Sequence, residues 1–88
     1  SPALADTEES RAKLLDLWLE ERMRSALGHD PRLRKSARHI RVAVEDGSVR
    51  LYGLTTDATA RNTAEQVVCA QRGVRDVRNE IAFAGRFE

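Results

Sequence analysis

The large apolar residues Ile40, Val42 and Val44 alternate with Arg41, Ala43 and Glu45. That period of two predicts a strand with one buried face. Asp46-Gly47 follows, a pair suited to the two positive-φ positions of a type I′ hairpin turn. Folding about it sets Val44 opposite Val49, Val42 opposite Leu51 and Ile40 opposite Gly53, with the apolar members on one face. Ala43–Arg50 and Arg41–Tyr52 fall on the other face. A slip of one residue would turn one strand's apolar set towards water, so the register is specified.

Elsewhere the period changes to that of helices. Residues from about Thr7 to Leu27 predict a long helix, opened by an Asp6/Glu9 capping box and stopped at Gly28, with Asp30-Pro31 beyond. Ala12, Leu15, Leu19, Met23, Ala26 and Leu27 share one face, expected to cover the sheet. Leu14, Leu17 and Trp18 form a second stripe that this face does not explain. A helix of this length, about 30 Å, outruns strands of about 17–20 Å, so its first half is expected to overhang. Thr55-Thr56-Asp57 offers caps for a second helix from about Ala58 to Arg72, buried along Ala60, Ala64, Val67, Val68 and Gln71 and closed by Gly73. In the last strand Val77, Asn79, Ile81 and Phe83 alternate with Arg78, Glu80 and Ala82. A right-handed crossover of this length makes the second and third strands parallel. The expected fold is α+β: a single small αββαβ domain, two helices on one face of a three-stranded mixed sheet. The domain is expected over residues 7–83, with 1–6 a flexible N-terminus or linker and 84–88 a tail.

Charge changes this picture locally only. The 88 residues carry a net charge of +1, so no overall field recruits nucleic acid or anionic membrane. Residues 1–21 hold six acids (Asp6, Glu8, Glu9, Asp16, Glu20, Glu21) against Arg11 and Lys13, and residues 22–41 hold seven bases (Arg22, Arg24, Arg32, Arg34, Lys35, Arg38, Arg41) against Asp30 alone. The helix dipole accounts for Arg22 and Arg24. It leaves Arg32, Arg34, Lys35 and Arg38 as either a solvated loop or a candidate anion- or phospholipid-facing set.

The sequence motifs resemble the BON family (bacterial OsmY and nodulation domain). Asp46-Gly47-Ser48-Val49-Arg50-Leu51-Tyr52-Gly53 matches its D-G-x-V-x-L-x-G hairpin. Gly73-Val74-Arg75-Asp76-Val77-Arg78-Asn79 matches its G-V-x-x-V-x-N entry to the last strand. Ala26-Leu27, Asp30-Pro31-Arg32-Leu33 and Ile40-Arg41-Val42 match the usual lead-in, so the resemblance covers about Leu19 to Phe83. It implies a non-enzymatic module of the bacterial envelope, periplasmic or envelope-associated, with phospholipid surfaces or envelope proteins as partners. BON domains also occur appended to cytoplasmic CBS-type regulatory proteins, which leaves a protein-interaction or oligomerisation role as the alternative. The chain departs from the usual pattern in its single copy and in roughly twelve extra helical residues.

Candidate chemistry is sparse. Cys69 has no cysteine to pair with, His29 and His39 lack a third metal ligand, and no nucleophile elbow is present. No catalytic, cofactor or metal residues are expected, and the absence of a G-x-x-G loop with few aromatics argues against nucleic acid. Two candidate surfaces remain. One is the basic set Arg32, Arg34, Lys35 and Arg38, for anionic phospholipid. The other is the stripe Leu14, Leu17 and Trp18, for a protein partner, a neighbouring domain or a homo-oligomer through the first helix.

Overall fold

The computed structural model describes residues 8–84. The capping box at Asp6 and the tail beyond Ala84 lie outside them. In chain order come α1 (Glu8–His29), two 3-10 turns (Pro31–Leu33 and Ala37–His39), β1 (Ile40–Glu45), β2 (Ser48–Thr55), α2 (Ala58–Cys69) and β3 (Asp76–Phe83). The sheet order is β1-β2-β3, with β1 antiparallel and β3 parallel to the central strand. α1 lies over β1, α2 over β3, and the helices touch one another.

The hairpin has the register the alternation predicts: Val44 pairs with Val49, Val42 with Leu51 and Ile40 with Gly53. Asp46 and Gly47 take φ of 56° and 82°, the left-handed conformations that the two-residue turn requires. Gly53 serves the close passage of two chain segments. Its φ is 126°, and a Cβ there would collide with the carbonyl oxygen of His39. The residue lets the chain entering β1 pass directly against β2.

Leu19, Met23 and Leu27 of α1 close over Val42, Val49, Leu51 and Ile81 of the sheet, and Ala60, Ala64 and Val68 bring α2 onto the same core. The alanines let the α2 backbone approach closely. Leu33, fully buried within the first 3-10 turn, joins this core, so the segment between α1 and β1 is anchored rather than a loose loop. A second anchor is the bond between the Ser36 and Thr55 hydroxyls, 3.2 Å apart and buried.

Four boundaries and faces differ from expectation. α1 runs through Gly28 to His29 and stops because Asp30, preceding Pro31, takes an extended conformation. α2 ends at Cys69 rather than Arg72: its last turn tightens through the Gln71 amide donating to the Val68 carbonyl at 3.0 Å. Gly73 (φ 91°) follows in the connection to β3. Phe83, in the same alternation as the core positions, ends β3 half-exposed. Ala12 and Leu15, expected on the core face, are exposed, because the sheet does not extend beneath them.

Asp57 is the cap of α2. Its carboxylate accepts from the Thr59 hydroxyl at 2.7 Å and the Thr59 amide at 2.9 Å. These bonds hold its pKa below the ordinary aspartate value. Thr55, offered by the sequence as another cap, instead accepts the Asp57 amide at 3.0 Å. Asn79 fastens β3 to α2, donating to the Arg61 carbonyl at 2.9 Å and to Glu65 Oε1 at 3.0 Å. Asn79, the last residue of the G-V-x-x-V-x-N pattern, thus ties helix to sheet.

Candidate interaction surface

The buried residues of α1 begin at Leu19; residues 8–18 contribute none. Within that stretch Leu14, Leu15, Leu17 and Trp18 are 58%, 60%, 61% and 57% exposed. The overhang therefore carries these apolar side chains over an arc of nearly half its circumference. Of the sequence stripe, Leu14 points away from the body, while Trp18 (with Leu15) and Leu17 flank it on opposite sides of the helix, each beside a groove.

What holds the overhang to the body is Asp16. Its two carboxylate oxygens accept the amides of Asp46 at 2.7 Å and Gly47 at 3.2 Å, clamping the hairpin turn against the helix. These are amides of a positive-φ turn, which point outwards with no strand partner and suit an anionic acceptor. Periodicity gave no sign of this role, because the contact spans 30 residues and Asp16 reads as one solvated acid among several. Beside the clamp lies a groove of about 400 Å³, lined on the helix side by Leu15, Trp18, Leu19 and Arg22 and on the body side by Gly47 and Gly73. The Arg22 guanidinium stands 4.8 Å above the Trp18 ring and also donates to Gln71 Oε1 at 3.2 Å. Trp18 is thus oriented by its own molecule, with more than half of its surface in solvent. On the other flank, Lys13, Asp16 and Leu17 face Ala43, Val44 and Glu45 across a wider, open groove.

The second candidate set lies past the far end of α1. All four basic residues are exposed, but they are not equivalent. Arg32 is held in a two-point contact with Asp30, Nε to Oδ1 at 3.1 Å and Nη2 to Oδ2 at 2.8 Å. This pairing raises the Arg32 pKa and lowers that of Asp30, so the charge of Arg32 is already matched. Arg34, Lys35 and Arg38 make no ion pair among the described residues. From Leu17 to His29 the helix rises roughly 18 Å, so the apolar stripe and the basic turns are separate surfaces.

Other chemistry is scattered. Among the described residues no group of His, Cys, Asp and Glu could hold a metal ion. Cys69 is exposed, and His29 Nδ1 lies 2.8 Å from the Ser25 carbonyl oxygen. No described helix is long and apolar enough to cross a membrane.

Fold and surface together define a small αββαβ module that presents an apolar half-helix and a basic turn. The family model of the BON domain matches residues 15–85, and the chain belongs to the BON domain family. The match starts four residues before the stretch recognisable by motif and leaves residues 8–14 of α1 ahead of it. The chain is similar to a solved structure from studies of CdsD, a structural protein of the type III secretion system of Chlamydia trachomatis. Sequence identity is 23%, the TM-score is 0.58, and the match covers 91% of this chain and 46% of that one. At this identity the likeness is one of fold, and this chain spans less than half of that protein's. No curated protein matches the sequence.

Proposed function

We propose that this domain is a non-enzymatic docking module of the bacterial envelope that engages a protein through the overhanging half of α1. The observation that carries the reading is the cluster Leu14, Leu15, Leu17 and Trp18, exposed on a helix segment that supplies nothing to the core. Four large apolar side chains on one short segment are the composition of an interface centre, with tryptophan its usual anchor. BON membership and the likeness to a secretion-system structural protein support an envelope setting and a structural role. The test uses the full-length gene product in its host. The parent protein fractionates with the envelope, and Leu17→Glu with Trp18→Ser releases it at unchanged folding. Retention of the double variant in the envelope fraction overturns the reading.

A second surface supports contact with anionic phospholipid. Arg34, Lys35 and Arg38 project from turns held rigid by Leu33 and Ser36. Each base near an anionic surface contributes about 1 kcal/mol, so three localise a domain without anchoring it. Replacing the three by Gln abolishes co-sedimentation with phosphatidylserine vesicles at low salt, and added salt does the same to the parent. Undiminished binding by the triple variant removes this reading.

A further inference from the structure

The outward face of α1 carries its own register. Ser10, Leu14, Leu17, Glu21 and Arg24 recur at spacings of four, three, four and three, opposite the buried Leu19, Met23 and Leu27. The spacing is that of a short two-helix seam in which only the two middle positions, Leu14 and Leu17, are apolar. We infer that the occupant of this seam is α1 of a second copy of the chain, lying antiparallel, with Leu14 of each copy opposite Leu17 of the other. The inference rests on the docking reading above and deepens it by naming the partner.

Charge selects the second copy and the direction. Lys13 and Glu20 flank the seam on one side, and Arg11 and Trp18 on the other. In the antiparallel arrangement Lys13 faces Glu20 of the other copy, and Arg11 comes over Trp18 of the other copy. Both contacts occur twice by symmetry. The acidic turn at Glu8 and Glu9 then lies beside the basic stretch that holds Arg22 and Arg24. A parallel pair would instead set acidic end against acidic end. Glu20 meets its own Arg24 at 3.3 Å with its side chain 26% exposed, and in the dimer its carboxylate serves Lys13 of the other copy as well as Arg24.

The shape of the molecule permits the approach. Along residues 8–18 the seam side is open, Lys13 and Leu17 standing across a wide groove from Ala43 and Val44, and the antiparallel pairing sends the two bodies to opposite ends. Leu14 and Leu17 stand ready to meet their counterparts, since each is more than half exposed. A seam with two leucines and the charged Glu21 and Arg24 forms a reversible dimer, present at high concentration and dissociating on dilution.

The experiment uses the full chain carrying Cys69→Ser, followed by sedimentation equilibrium and disulfide trapping. The parent dimerises reversibly, and Lys13→Glu or Glu20→Lys alone weakens the dimer at least about tenfold, as a facing like-charge pair demands. The two changes together restore it. A mixture of Leu14→Cys and Leu17→Cys chains yields the mixed disulfide in preference to either homodimer; this readout does not depend on the charge variants. A chain monomeric at millimolar concentration, a charge swap without rescue, or a dominant Leu14→Cys homodimer each overturns the pairing. A monomeric parent whose Leu17→Glu, Trp18→Ser variant still leaves the envelope fraction overturns the pairing alone and keeps the docking reading.

Discussion

The two halves of α1 are built from the same kinds of residue and meet opposite fates. Leu19, Met23 and Leu27 are sealed against the sheet, while Leu14, Leu15, Leu17 and Trp18 stand in water one turn away. Side-chain hydrophobicity does not separate them. The hairpin turn at Asp46-Gly47 does, because the body beneath the helix ends there, and Asp16 marks the boundary by holding that turn. An amphipathic pattern therefore reports which side chains can be buried, and the length of the opposing surface decides which of them are.

If body and overhang are as distinct as this, substitutions should divide sharply between them. The largest effect is expected within the body at Gly53. Alanine there would force an unfavourable φ and drive its Cβ into the His39 carbonyl, so Gly53→Ala should cost more than about 3 kcal/mol or prevent folding. A denaturant midpoint close to the parent's would mean that β1 and β2 do not pass so closely at this point. Met23→Ala comes next, since a fully buried methionine removed from a packed core costs about 2–5 kcal/mol.

Asp16→Ala acts at the boundary. It removes an anionic acceptor from two backbone amides, a loss of about 1 kcal/mol, and should speed hydrogen exchange at Asp46 and Gly47 ahead of the core amides. Unaltered exchange at those amides would show that the clamp does not join the two regions. In the overhang, Leu17→Ala should shift the stability of the monomer by no more than about 0.5 kcal/mol, as at other exposed positions. A loss matching that of Met23→Ala would erase the distinction between the halves.

The smallest effect concerns pH. The carboxylates of Asp57 and Asp30 are held below their ordinary pKa, the first by the Thr59 hydroxyl and amide, the second by Arg32. Their contribution to stability is complete above the unfolded-state value of about 3.9 and is lost as the pH falls through the lower, folded values. Asp57→Ala should therefore flatten part of the acid limb of the unfolding curve and leave neutral-pH cooperativity intact. An acid limb as steep as the parent's would remove Asp57 from that role.

The hairpin, its register, the parallel crossover and the family-pattern glycines are all legible in the order of residues. Each follows from contacts within a few residues or from a period that cannot be satisfied two ways. The same reading marks Leu14, Leu17 and Trp18 as surplus to the core, because one helix has only one inner face. Packing settled the rest. Leu15 shares the helical phase of the core face yet is exposed, since phase carries no information about where the sheet ends. Leu33 reads as part of a polar loop, but a 3-10 turn begun at Asp30-Pro31 swings it into the core. Arg32 looks equal to its basic neighbours until the fold of that turn matches it to Asp30. Asp16 acquires its partners only when a turn 30 residues later folds back over the helix. Local rules fix elements and their faces; which face reaches a neighbour depends on lengths and closures that the chain settles only on packing together.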